Sequence, residues 1–530
     1  MSGRRRRTVV VTGGGAGIGA AVAESVGRTG AHVVTVDPLV TLDGTGRLPS
    51  PERTTADRIV AAGGSAHASN VSVTDHQALQ ELFDQVANEH GGLDAVVNVA
   101  GITRPTGFAR GTPEEWASVL RVHVDGYRNV LGAALPLMAK ARGGHVVGVT
   151  SGSGWRAADA GAYSCAKRAV AALTWQLGAV APDGVVVNAM SPIAVTRMVT
   201  AALERARSAG GTATGGLALG SMPAPGELGP FGAYLVDEGF TWCRGRVLFA
   251  GGPEVALVEE PRLLEVVRTA GAASLAGVFD TVVPCAWATA EAQQASGGGG
   301  NPRFPAVFDD AGDAEGVPVS RRCLVVADDP GAAAALTSAL EARGVRCHTG
   351  TSVAAVDADT DAVVVAPAGP TPVGVTSGDG WERVLSEHDG LVDGILADAR
   401  WARAAADAGR LLRLVTLTDA TTTGGRSRAQ ASAQLSRAAP GATGDRVHAF
   451  SVAVESSTSG DRQAAAELAA HLVSHPAAAA MAGAELVVGA GWTGLRSHPR
   501  PTGTITFGGP KLPAWFDGAL RAVVGNGGGR

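Results

Sequence analysis

The chain has 530 residues, 45% of them apolar and 18% charged, with a formal net charge of −5. That length exceeds one ordinary core and calls for about two domains. The weak charge excludes the basic excess of a nucleic-acid binder, and no apolar run reaches the roughly 18 residues that would span a bilayer.

The opening "MSGRRRRTVVVTG" passes straight into a strand and a glycine turn, so it does not read as a signal peptide, and Arg4 to Arg7 read as a solvated, frayed terminus. Five scattered cysteines without CxxC or histidine partners point to a reducing compartment, the cytoplasm, and to no metal site. Residues 8–36 read strand, glycine turn, helix, strand, and the alternation continues through "GLDAVVNVAG", "GGHVVGVTS" and "GVVVNAMSP". Strands alternating with helices imply an α/β fold with a doubly wound parallel sheet. A polar, Gly- and Pro-rich stretch over 288–319 reads as a linker.

Beyond it the pattern restarts. "DAVVVAPAGPTP" (361–372) echoes "DAVVNVAGITRP" (94–105), "GWERVLSEHDG" (380–390) echoes "EWASVLRVHVDG" (115–126), and "LRLVTLTDATTTGG" (412–425) echoes "GHVVGVTSGSGW" (144–155). Repeats in one order indicate a tandem duplication, with a catalytic domain over 1–287 and a degenerate Rossmann-like copy over 320–530.

"TGGGAGIG" (12–19) lies between a strand and a helix, where Gly13, Gly17 and Gly19 allow a pyrophosphate to approach backbone N–H groups at the helix N-terminus. Asp37 ends the next strand, placed to accept hydrogen bonds from ribose hydroxyls and to repel a 2′-phosphate. Only three tyrosines occur, and one of them, Tyr163, stands one helical turn before Lys167 and twelve residues after Ser151. With "NVAG" (98–101) and "SPIAVTRM" (191–198) in order, these motifs resemble the short-chain dehydrogenase/reductase family over residues 8–200.

The resemblance implies hydride transfer between nicotinamide and a secondary alcohol or ketone. Tyr163 would be the general acid/base, Lys167 would lower its pKa and hold the nicotinamide ribose, and Ser151 would orient the substrate oxygen. It also implies a cofactor site of Gly13, Gly17, Ile18, Gly19, Asp37, Asn70, Val71, Asn98, Ala100, Gly101, Pro192 and Thr196 together with the Tyr163–Lys167 pair. NAD is expected and NADP less so, with a small-molecule substrate and no nucleic acid, membrane or metal.

Most family members carry Asn on the central helix where His123 stands here, and His123 is taken as a further catalytic candidate. "FARGTPEEWASVLRVHVDGY" (108–127) resembles the branch of multifunctional β-oxidation enzymes that oxidise (3R)-hydroxyacyl-CoA, similar to type 4 17β-hydroxysteroid dehydrogenase. The substrate would be a 3-hydroxyacyl thioester, a steroid or a polyketide-like ketone. An NADPH-dependent ketoreductase of secondary metabolism and a non-catalytic dinucleotide-binding scaffold are the alternatives.

The second copy puts Asp328 and Asp329 in place of the glycine loop, Asp419 opposite Ser151, Arg426 opposite Tyr163 and Gln430 opposite Lys167, which makes it catalytically dead. It is expected to serve as a built-in pseudo-dimer partner packed along a four-helix seam, with the whole chain a homodimer. The segment 201–229 falls where a substrate lid belongs.

Overall fold

The computed structural model describes residues 5–208, 222–287, 319–367, 380–509 and 511–527. The expected linker lies outside the described residues except for Val319, as does the 209–221 part of the expected lid.

Eight strands arise from the first half: β1 (Thr8–Thr12), β2 (His32–Val36), β3 (Ser65–Ser69), β4 (Ala95–Asn98), β5 (Gly144–Val149), β6 (Val185–Pro192), β7 (Val247–Gly251) and β8 (Glu254–Glu259). Valine-rich runs such as TVVVT and HVVTV are buried at every position, as strands covered on both faces must be. β1 to β7 pair in parallel, and β8 returns antiparallel through a turn at Gly252, whose φ is +64°. β9 (Leu263–Arg268) follows, and then six strands that pair in parallel as before: β10 (Arg322–Ala327), β11 (Arg346–Thr349), β12 (Ala362–Ala366), β13 (Leu412–Asp419), β14 (Val447–Val454) and β15 (Glu485–Gly489). β16 (Trp492–Arg496) reverses at Gly491 (φ +78°), the counterpart of the turn at Gly252, and β17 (Arg500–Thr506) closes the strand list.

The two sheets run β17-β8-β7-β6-β5-β4-β1-β2-β3 and β11-β10-β12-β13-β14-β15-β16-β9. Each is a mostly parallel, Rossmann-like sheet with helices against it, and among the described residues the second has no counterpart of β3.

The expected boundaries do not follow the chain. β9, assigned from sequence to the first half, pairs antiparallel with β16 of the second sheet, while β17 pairs antiparallel with β8 of the first. The crossing segments hold each other: Ser497 N–H donates to Arg262 O at 2.9 Å, and Arg262 N–H donates to Ser497 Oγ at 3.2 Å. The exchange reaches both cores. Phe279, Val283 and Trp287 pack under the second sheet, and Ile505, Phe516 and Leu520 under the first. Each strand is an edge strand after an equivalent hairpin, so its local pattern does not say which of two like edges it completes.

Ending the chain at Pro499 should therefore damage the first half, although the cut lies in the second. Ile505, Phe516 and Leu520 are buried, and burial of a large apolar side chain is worth about 1.5–3 kcal/mol. Thermal unfolding should show a lower midpoint and aggregation through the bared β8 edge. An unchanged midpoint would mean that the exchange adds nothing to stability.

The halves also meet along helices. Ala162–Val180 packs against Thr423–Thr443, and the long helix running from Pro113 to Ala141 packs against the helices Gly380–Glu387 and Leu391–Asp407. Ala162, Cys165 and Ala169 share one apolar cluster with Leu391, Ile395, Ala431 and Leu435. Arg128 Nε donates to Leu385 O at 2.9 Å, and Gln176 Nε2 to Ser427 Oγ at 2.9 Å. At the start of the described chain, Arg5 is not frayed but makes a two-pronged bridge to Asp94, and Arg7 donates to Val236 O. Among the described residues no helix is long and apolar enough to cross a membrane.

Candidate active site

A cleft of about 1360 Å³ opens at the carboxyl ends of β1, β2, β4, β5 and β6, where open α/β sheets bind ligands. Its glycines are dictated by geometry. Gly13 has φ +64°, and a Cβ there would lie 2.8 Å from Ala100 N. A Cβ on Gly19 would strike Gly13 O at 2.1 Å, so loop and helix could not pack. The helix Gly17–Gly27 starts at Ala16 without a side-chain cap, whereas Thr54, Asp75 and Thr112 cap the helices that follow. Its first N–H groups are thus left for an anion at the cleft, which fits a dinucleotide pyrophosphate.

Asp37 lies beside this loop. Its Oδ2 accepts from Gly15 N–H at 3.0 Å and its Oδ1 from Leu39 N–H at 2.9 Å. These bonds fix the carboxylate while leaving lone pairs on both oxygens for ribose hydroxyls. Asn98 is buried at the end of β4, and its Oδ1 accepts from Thr12 Oγ1 at 2.6 Å. Gly19 and Asn98 support the cleft from behind. Gly13, Gly17, Ile18, Asp37, Asn70, Val71, Ala100, Gly101, His123, Ser151, Tyr163, Lys167, Pro192 and Thr196 line it.

The reacting end gathers four side chains. Ser151 follows β5, and its hydroxyl accepts from Ser153 N–H at 3.2 Å. Lys167, one turn along the helix Ala162–Val180, donates from Nζ to Val149 O at 2.6 Å and lies 5.5 Å from the centre of the Tyr163 ring. Burial pushes the Tyr163 phenol above its ordinary value, while the Ser151 hydrogen bond works the other way. Burial pulls the Lys167 ammonium down to about 7.

His123 sits in a π-helical step, Arg121–Asp125, within the long helix; such bulges recur at functional sites. Its Nε2 lies 2.8 Å from Ile102 O. A carbonyl only accepts, so Nε2 carries the proton and Nδ1 keeps its lone pair. Nδ1 is buried without a hydrogen-bond partner among the described residues. The ring meets Tyr163 edge-on at 5.1 Å, and burial, then the Lys167 charge, hold the imidazole neutral.

Sequence reading missed the basic and substrate-end side chains. The loop after Asp37 brings Arg47 to the cleft, and Arg104, Arg121, Arg156 and Arg197 also line it. These arginines are far apart in sequence, so no local cluster signalled them. Arg156, Asp159, Ile193, Met198 and Met222 surround the space beyond Ser151.

The second copy closes off its equivalent sites. Asp329 caps the helix Pro330–Glu341 by accepting from Gly331 and Ala332 N–H groups, so a carboxylate already stands where a phosphate would bind. Asp419 accepts from Thr421 N–H at 2.9 Å and from its hydroxyl at 2.6 Å. Gln430 points into the seam, where it accepts from Arg168 Nε at 2.6 Å and donates to Glu485. Two further side chains reach the loop after Ser151. Gln434 donates to Ser153 O at 3.1 Å and Arg156 O at 2.8 Å, and Arg437 donates to Trp155 O at 3.0 Å.

Residues 7–208 match the family model for short chain dehydrogenases. The peroxisomal hydratase-dehydrogenase-epimerase of Saccharomyces cerevisiae is 34% identical over 194 residues, 36% of this chain but only 21% of that protein. The short-chain reductase protein NovJ of Streptomyces niveus is 33% identical over 198 residues, 37% of this chain and 72% of NovJ. The crystal structure of a short chain dehydrogenase from Mycobacterium avium matches with 29% identity and a TM-score of 0.42, covering 52% of this chain and 93% of its own. The chain belongs to the short chain dehydrogenase family, oxidoreductases that pass hydride between a nicotinamide dinucleotide and an alcohol or ketone.

Proposed function

We propose that the first half oxidises a secondary alcohol, or reduces the matching ketone, with NAD(H). The observation that carries this reading is the convergence of Ser151, Tyr163 and Lys167 on one cleft with the uncapped glycine-loop helix and Asp37. The dinucleotide, when bound, supplies the hydride acceptor or donor. Gly13, Gly17 and the N-terminus of the helix Gly17–Gly27 would hold its pyrophosphate, and Asp37 its adenosine ribose.

Ser151 holds the substrate oxygen against Tyr163, and Tyr163 takes its proton during oxidation and returns it during reduction. Burial opposes a bare phenolate, and an ammonium on Lys167 beside the ring would favour the ionised form of Tyr163. His123 Nε2–H braces Ile102 O, at the rim next to Gly101, and its neutral ring adds no competing cation beside Lys167.

For the substrate we infer a 3-hydroxyacyl thioester, a reading supported by the resemblance of residues 108–127 to the (3R)-hydroxyacyl-CoA branch; a steroid or a polyketide-like ketone is the alternative. A turnover screen of the purified full chain over these three classes with NAD⁺ and NADP⁺, and in reverse with NADH and NADPH, tests the reading. Turnover of a thioester supports it, and no turnover of any alcohol or ketone overturns it.

Asp37 sets the second expectation. Like-charge repulsion disfavours a 2′-phosphate, so kcat/KM for NAD(H) should exceed that for NADP(H). Arg47 in the adjoining loop is the side chain that would counter this. If NADP(H) equals or exceeds NAD(H), the NADPH-dependent ketoreductase is the better description.

A further inference from the structure

Three histidines far apart in sequence meet at the opposite end of the first sheet from the cleft. His32 opens β2, His67 lies on β3, and His90 ends the helix His76–His90. One nitrogen from each lies within 4.8 Å of the other two. His32 is buried, and His67 and His90 are half-buried. We propose that His32, His67 and His90 form a binding site for a borderline divalent transition-metal ion of the Zn²⁺ or Ni²⁺ class.

The hydrogen bonds favour this use of the rings. His32 Nδ1 is 2.7 Å from Ser65 Oγ, a contact that fixes the ring and directs Nε2 inward; metal-binding histidines are commonly oriented through the second nitrogen in this way. His32 Nε2 faces His67 Nδ1 at 3.0 Å. His90 Nε2 is buried with no partner among the described residues, and an orphaned ring nitrogen is costly unless something occupies it.

Imidazole ligands select Zn²⁺, Ni²⁺, Cu²⁺ or Co²⁺ over Mg²⁺ or Ca²⁺. With metal–nitrogen bonds of about 2.0–2.1 Å, the nitrogens must draw closer, and the stacked His90 ring, 4.0 Å from His32, must turn about its side chain. Its partnerless nitrogen holds it to no other group.

Binding would staple β2, the edge strand β3 and the end of a covering helix. The site lies a full strand length from Asp37, so it is a structural site and leaves the chemistry alone. Three ligands also leave at least one position for water.

The test uses untagged full-length protein stripped with a chelator. Zn²⁺ and Ni²⁺ should each bind with one ion per chain at micromolar or tighter affinity and raise the thermal midpoint, which Mg²⁺ should leave unchanged. Co²⁺ should give visible absorption bands of nitrogen-ligated metal. His67→Gln and His90→Gln should lose all of this while keeping the metal-free midpoint and alcohol turnover. If no ion binds, or if both variants bind as the parent does, the site is refuted. If a variant's metal-free midpoint falls, His32→Asn decides by the Co²⁺ spectrum, and a spectrum like the parent's refutes the site.

Discussion

Tyr163→Phe should lower kcat/KM by at least the 10² to 10⁴ typical of a general acid–base group, with NAD⁺ affinity nearly unchanged. The substitution removes one oxygen, the one that would carry the proton, and leaves the ring packed edge-on to His123. Steady-state kinetics paired with calorimetric NAD⁺ titration separates chemistry from binding. Activity within about threefold of the parent would take the proton transfer away from Tyr163.

The pH profile carries the same mechanism. Oxidation needs Tyr163 deprotonated, so its rate should rise with pH, and reduction should fall over the same range. Lys167→Met removes the buried ammonium that favours the phenolate. Its oxidation limb should move to higher pH, and a limb that stays in place would show that Lys167 does not tune Tyr163.

Glu485→Gln should cost about 3–5 kcal/mol of stability, the range for breaking a buried ion pair by removing one partner. Arg168 and Glu485 are 0% and 4% exposed in their side chains and 2.6 Å apart across the seam. Burial alone would raise the Glu485 carboxyl, but Arg168 and then His498 hold it below its ordinary value of 4.5. Removing this carboxylate leaves Arg168 and the nearby Arg437 as buried cations that repel each other.

Arg168→Met should cost less, because it also relieves that repulsion. The stabilisation is complete above the ordinary glutamate pKa and is lost as the pH falls through the lowered folded value. Glu485→Gln should therefore show a flatter acid limb of stability. Since Lys167 adjoins Arg168, and Gln434 and Arg437 hold the loop after Ser151, a loosened seam should reduce kcat more than it raises KM.

Much of the site was legible because its chemistry is local in sequence. The glycine loop needs glycines at fixed offsets in one turn, and the Tyr163–Lys167 pair needs one turn of helix, so both survive as short patterns. The doubly wound sheet was legible for a similar reason, since fully buried valine runs alternate with helices. The exchange of β9 and β17 was not, because pairing partners of edge strands are chosen between two near-identical hairpins. The arginines around the cleft and the three histidines at the opposite end of the first sheet were missed because only the fold brings them together. Asp328 and Asp329 mark the second half as departing from the glycine loop, and the contact made there, the capping of a helix by Asp329, only the fold shows.

Isothermal calorimetry of NAD⁺ binding to the intact chain tests the central division of labour most directly. The uncapped helix Gly17–Gly27 and the Asp329-capped helix Pro330–Glu341 predict one site per chain, abolished by Gly19→Val and untouched by Asp329→Ala. Two sites per chain, or one that survives Gly19→Val in a folded protein, would contradict it.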